Sequence, residues 1–142
     1  MTIGAILKGR EGRVISVACE TPVKDAVGKL AENRIGAMPV VKGDRVVGIM
    51  SERDIIYCLQ SHGATILDWP VEKVMTAPAI TVTADIGILT ALSQMTKRRI
   101  RHLPVVEGER LIGIVSIGDL VKHRIDKIEA EAEAMREYIQ SA

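Results

Sequence analysis

The sequence predicts an α+β fold in which two β-α-β-β-α repeats pack pseudo-symmetrically and an amphipathic helix closes the chain. Three observations predict it. A segment of about 46 residues recurs at a fixed offset, each copy switches between strand and helix hydrophobic periods in the same order, and the core supply is almost wholly aliphatic. The recurrence is read first, because internal repetition decides the architecture. Residues 34–54, R-I-G-A-M-P-V-V-K-G-D-R-V-V-G-I-M-S-E-R-D, return at 99–119 as R-I-R-H-L-P-V-V-E-G-E-R-L-I-G-I-V-S-I-G-D. Pro39 maps onto Pro104, Gly48 onto Gly113 and Asp54 onto Asp119, each displaced by 65 without a gap. Between 14–59 and 79–124, 14 of 46 aligned positions are identical, and many others exchange one aliphatic residue for another.

Each copy opens on a short apolar run, residues 14–17 or 80–82, that reads as a strand leading into a helix start. A helix-period segment follows, with Val23, Ala26, Val27 and Leu30 on one face and Ile88, Ala91, Leu92 and Met95 on its counterpart. Two β-branched runs, 38–41 and 46–50, flank Lys42-Gly43-Asp44-Arg45, a glycine-containing hairpin loop. The second copy repeats this at 103–106 and 111–115 around Glu107-Gly108-Glu109-Arg110. A last helix opens at Ser51 or Ser116. One copy is too small to bury its own sheet, so the two are expected to pack face to face.

The organisation is therefore 1–13 as a helical lead-in, 14–59 as repeat 1, 60–78 as a linker with a short helix over 71–75, 79–124 as repeat 2, and 125–142 as a C-terminal helix. That last helix carries Val121, Ile125, Ile128, Ala132, Met135 and Ile139 at alternating spacings of four and three, flanked by charge. Two readings of the stripe stand: a helix laid along its own domain, or one that pairs across a homodimer.

Composition narrows the function. There is no Phe, one Trp and two Tyr, so few rings are available to stack bases. A net charge of +1 supplies no field to draw the chain to nucleic acid or anionic lipid. Cys19 and Cys58 form no C-x-x-C, and His62, His102 and His123 have no metal-ligand spacing. No apolar run approaches membrane-spanning length and no leader opens the chain, so a soluble cytoplasmic protein is expected. No nucleophile–base arrangement, acid/base pair or metal set marks an enzyme.

The motif that bears chemistry is Ser-x-x-Asp after the third strand of each copy, Ser51 to Asp54 and Ser116 to Asp119. By itself it is a helix N-cap with an acid in the first turn. A helix N-terminus also offers free N–H groups and a positive dipole end to phosphate. A carboxylate one turn on can accept both hydroxyls of a ribose, and Val and Ile on the strand edges can form a dry slot for a base.

These paired units, their L/M-P-V-V and G-I-x-S-x-x-D segments and the V-E-K-V-M-T lead-in to the second copy resemble the CBS-domain pair, or Bateman module, over nearly the whole chain. The resemblance implies a non-catalytic regulatory module that binds AMP, with ADP, ATP, NAD or S-adenosylmethionine as alternatives, in clefts between the repeats. It further implies that the motif aspartate holds the ribose. Carried onto this chain, one cleft combines Arg13, Ile15, Ile35, Gly36 and Ala37 with Ile114, Ser116 and Asp119. The other combines Ala79, Ile80 and Ile100 with Ile49, Ser51, Arg53 and Asp54, and Arg101 borders it too. Basic residues before the Leu-Pro-Val reach phosphate in the family's kinase-regulating members. Arg101 and His102 are accordingly assigned to the Asp119 cleft, which is expected to be the stronger. The run 97–102 has a second reading, as cations complementing the C-terminal end of a helix dipole. A homodimer is expected, with no nucleic acid or membrane partner. The competing function is a structural, dimerising module whose clefts are vestigial.

Overall fold

The structure is a computed structural model and describes residues 1–10 and 14–141. Helix α1 (Ile3–Lys8) is followed by strand β1 (Val17–Ala18), helix α2 (Val23–Asn33), strands β2 (Ala37–Lys42) and β3 (Arg45–Ser51) and helix α3 (Glu52–His62). Two 3₁₀ turns, Gly63–Asp68 and Val71–Lys73, lead to β4 (Val82–Thr83), α4 (Ile88–Arg98), β5 (His102–Glu107), β6 (Arg110–Ser116) and α5 (Ile117–Ser141). The expected β-α-β-β-α order holds in both repeats, with three adjustments. The opening strands keep only two paired residues each, the lead-in to repeat 2 coils as a 3₁₀ turn, and repeat 2's last helix runs without interruption into the C-terminal tail.

The six strands form one sheet in the order β1-β2-β3-β6-β5-β4. Within each repeat the first strand pairs parallel and the hairpin antiparallel, with matching register shifts at Val40/Val41 and Val105/Val106. The hairpins turn on Gly43 and Gly108, whose φ of 66° and 65° lie in the left-handed region that two-residue hairpin turns need at this position. The repeats are expected to stack face to face. Their strands join at the hairpin ends, where Arg45 pairs with Arg110 and the Leu111 N–H donates to the Asp44 carbonyl at 3.0 Å.

Each half keeps a core of its own, and the apolar stripes read from the sequence fill it. Val23, Ala26 and Leu30 of α2 meet Met38, Val40 and Met50, and Ile88, Ala91 and Met95 of α4 meet Leu103, Val105 and Val115. The small size of each half is met by an exchange. The segment preceding repeat 2 gives Val71 and Val74 to the core of repeat 1, while the segment preceding repeat 1 gives Ile3, Ile6 and Leu7 to the core of repeat 2. The two lead-ins dock alike. Ile3 N–H donates to Ile86 O at 2.9 Å and Gly4 N–H to Ala84 O at 2.8 Å; Val71 N–H donates to Thr21 O at 2.8 Å and Glu72 N–H to Cys19 O at 3.0 Å. Lead-in residues 3 and 4 thus correspond to 71 and 72, a displacement of 68, on repeat positions displaced by 65.

Docking requires a missing side chain on β3 and on β6. A Cβ at Gly48 would stand 2.8 Å from the Thr76 carbonyl oxygen and 2.5 Å from Met75 Sδ; a Cβ at Gly113 would stand 2.7 Å from Leu7 Cδ2. A side-chain tip can swing aside, whereas a paired backbone carbonyl cannot. Gly48→Ala is therefore expected to destabilise the fold by about 1–3 kcal/mol, and Gly113→Ala by less than half as much. Urea unfolding of both variants checks the order; equal losses would show that the backbone contact is not what separates them.

Candidate functional site

Both Ser-x-x-Asp motifs fold as the reciprocal caps their spacing suggests. At α3, the Ser51 N–H donates to Asp54 Oδ2 at 2.9 Å and the Asp54 N–H donates to Ser51 Oγ at 3.2 Å. At α5, the Ser116 N–H donates to Asp119 Oδ2 at 2.8 Å and the Asp119 N–H donates to Ser116 Oγ at 3.1 Å. Capping fixes each carboxylate one turn into its helix without burying it, since Ser51, Asp54, Ser116 and Asp119 all stay partly accessible.

Two cavities open on these carboxylates, and both draw on the two repeats. The cavity at Asp54 has a volume of about 440 Å³ and takes Ile49, Ser51 and Arg53 from repeat 1, with Ala79, Ile80 and Ile100 from repeat 2. The cavity at Asp119 has a volume of about 490 Å³ and takes Ile15 and Ile35 from repeat 1, with Ile114 and Ser116 from repeat 2. Gly36, Ala37 and His102 line both. These volumes are typical of small-molecule sites.

One assignment changes. Arg101, placed beside the Asp54 cleft and also grouped with His102 for the Asp119 cleft, lines the Asp54 cavity. The reason is local. Arg99 closes α4 in the left-handed conformation and the Arg101 carbonyl accepts the Ile117 N–H at 2.8 Å, which fixes the backbone at the entry to β5. Arg13 lies outside the described residues. The cation that does reach Asp119 is Arg10: its Nη2 is 2.6 Å from Asp119 Oδ2 and its Nη1 donates to the Ile114 carbonyl at 2.6 Å. Arg34, Val14, Leu7 and Ile112 also join this cavity, and Thr76, Tyr57, Ile56 and Arg99 join the other. The Thr76 hydroxyl donates to Asp54 Oδ1 at 2.8 Å. The signal for Thr76 and Arg10 was present but faint: only the apolar pairs Ile3/Val71, Ile6/Val74 and Leu7/Met75 mark the two lead-ins as alike.

The CBS-domain family model matches residues 11–61 and again 71–126. The chain belongs to the CBS-domain family. A mitochondrial CBS domain-containing protein of Arabidopsis thaliana is 33% identical over 148 residues, spanning 98% of this chain and 72% of that protein. A solved CBS-domain protein from Burkholderia ambifaria superposes with a TM-score of 0.80 at 38% identity, covering 89% of this chain and 95% of that one. A CBS-domain protein from Pyrobaculum aerophilum, solved in complex with AMP, superposes with a TM-score of 0.74 at 25% identity, covering 84% and 89%.

The electrostatics of this CBS pair differ from cleft to cleft. Partial burial pushes the Asp119 carboxyl up, but hydrogen bonds from the Ser116 N–H and from Arg10, together with the arginine's charge, outweigh it and hold the group below the usual carboxylate range. Elsewhere, Glu20 accepts the Cys19 thiol at 3.2 Å and pushes its pKa up, which disfavours a reactive thiolate. Among the described residues no three His, Cys, Asp or Glu side chains gather as a metal site, and no helix is long and apolar enough to cross a membrane.

His102, between the cavities, is held below the ordinary imidazole value of 6.5 chiefly by burial, with Asp119 and Glu52 pulling upward against it. The unfolded chain then takes up this proton at a higher pH than the folded one. Stability that is intact above about pH 6.5 falls as pH drops toward the lowered folded value. Asp119 contributes in the same direction only near and below its own unfolded value of 3.8. His102→Gln is therefore expected to lose less stability than the unmodified chain between pH 7.5 and about 5.5, measured by urea unfolding; parallel losses would place the acid sensitivity elsewhere.

Proposed function

We propose that this CBS-domain pair is a non-catalytic regulatory module that binds an adenine nucleotide, AMP foremost, in its two inter-repeat clefts. The observation that carries the reading is the placement of Asp119 and Asp54. Each carboxylate is fixed in the first turn of a helix, at the mouth of a cavity whose walls include Ile15, Ile35 and Ile114 or Ile49, Ile80 and Ile100. A ribose can donate its hydroxyls to such a carboxylate, a base can lie against the aliphatic walls, and a phosphate is favoured near helix N–H groups and arginine. The Pyrobaculum relative's AMP complex supports the same ligand class. The Asp119 cleft is the principal site in this reading, with Arg10 and Arg34 supplying the positive charge first assigned to Arg13 and Arg101. ATP, ADP, NAD and S-adenosylmethionine share the adenine and ribose, so a thermal-shift panel across them ranks the ligands.

Loss of a charge-assisted ribose bond costs roughly 1.5–3 kcal/mol, or about 10- to 100-fold in affinity. Asp119→Ala is expected to weaken AMP binding by at least about 10-fold in calorimetry. Unchanged affinity would remove Asp119 from the site, and no response to any adenine ligand would leave the dimerising reading in its place.

That second reading has an observation of its own. Val121, Ile125, Ile128, Met135 and Ile139 on α5 are 42–65% exposed, so the stripe does not lie along its own domain. Its a/d spacing suits a second copy of the helix, and homodimers are the commonest assembly. Deleting residues 125–142 is expected to convert a dimer to a monomer in sedimentation while the two repeats stay folded; a truncated chain that still dimerises would place the interface elsewhere.

A further inference from the structure

The two ribose-holding carboxylates of the proposed site are pseudo-equivalent, yet they are sealed by unlike chemistry. Asp54 is met by the neutral hydroxyl of Thr76, whose N–H also donates to the Ile49 carbonyl at 2.9 Å. On the other side, the carbonyl of Ile114, the counterpart of Ile49, is taken by Arg10, and the same guanidinium holds Asp119 at 2.6 Å. One lead-in segment therefore ends on a hydroxyl and the other on a cation.

We infer that Arg10 makes the Asp119 cleft select adenine ligands that carry an anionic phosphate over the neutral nucleoside. This rests on the adenine-ligand reading above and adds the ligand class that this cleft takes. A ribose that takes both carboxylate oxygens of Asp119 displaces the guanidinium from Oδ2, which already accepts the Ser116 N–H. A neutral nucleoside offers hydroxyls to the carboxylate and nothing to the displaced cation. A phosphate gives that cation a new partner, and the flat fork of a guanidinium matches two phosphate oxygens. Arg34, held in the left-handed conformation at the end of α2, lines the same cavity and adds a second cation there. At Asp54 the exchange moves only a rotatable hydroxyl, in a cavity that Arg53, Arg99 and Arg101 line.

Arg10 and Asp119 each keep 38% of their side-chain surface in solvent, so the pair adds little to stability and acts by competition with the ligand. Replacing Arg10 consequently leaves a folded chain to test. AMP and adenosine are titrated calorimetrically into Asp54→Ala, which isolates the Asp119 cleft, and into Asp54→Ala/Arg10→Gln. With Arg10 present, AMP is expected to bind at least about 10-fold tighter than adenosine. With glutamine there, the ratio is expected to fall toward one, because AMP weakens while adenosine does not. Arg10→Gln on the otherwise intact chain, with its two clefts fitted separately, gives the same answer should loss of the Asp54 cap unfold the first background. An AMP-to-adenosine ratio that Arg10→Gln leaves unchanged, or an equal weakening of both, would overturn the selectivity while sparing the site. Failure of both ligands to bind the unmodified chain would overturn the adenine reading, and the selectivity with it.

Discussion

The contact on which the molecule depends is the docking of each lead-in segment against a glycine of the opposite repeat. Neither half has enough apolar residues of its own to close its core. Repeat 1 is finished by Val71 and Val74, and repeat 2 by Ile3, Ile6 and Leu7. Bare glycine backbone at positions 48 and 113 lets Met75 and Leu7 approach within side-chain contact. Because the lead-ins cross between halves, the chain ties the repeats together although their strands meet at a single register pair, Arg45 with Arg110. The same segments carry Thr76 and Arg10 to the carboxylates, so the device that completes the cores also dresses the sites.

Pseudo-symmetry constrains the backbone more than the side chains. The capping boxes, the hairpin glycines and the register shifts at Val40/Val41 and Val105/Val106 recur in both halves because each serves folding. The left-handed residues ending α2 and α4 recur too, at Arg34 with φ 52° and Arg99 with φ 53°. An L side chain in that region costs roughly 1–2 kcal/mol, a cost glycine would avoid. Both are arginines and both line a cavity, which is the pattern expected when strain is retained at a functional position. The halves part company at Thr76 and Arg10, where a hydroxyl meets one carboxylate and a cation the other.

The repeat, its element order and the aliphatic stripes were legible in the sequence because each has a period, and a period survives substitution of one aliphatic residue for another. The Ser-x-x-Asp caps were legible for a similar reason, since a fixed spacing within one turn determines who can reach whom. Arg101 was grouped with His102 because the two are neighbours in sequence, but His102 lines both cavities whereas Arg101 lines the one at Asp54. Arg10 was missed because its partner is 109 positions away and its segment resembles 71–76 only in three apolar residues. Each half is small, and the exchanged segments add Val71 and Val74 to one core and Ile3, Ile6 and Leu7 to the other.

The continuity of α5 links the site to the surface. Asp119 stands in its first turn, Leu120 anchors it in the core of repeat 2, and the exposed stripe runs from Val121 to Ile139 on the same helix. A helix of 25 residues is a rod about 37 Å long. An intact helix links the position of its capped end to that of its exposed stripe, though long helices curve. A ligand moves such an equilibrium only by binding one orientation better than the other. Arg10 on one lead-in and His102 at the start of β5, whose pKa burial pushes down, line the cavity at Asp119. An anion entering between them changes the environment of both at once. One helix thus carries an electrostatic contact at its N-terminus and an apolar stripe along its length.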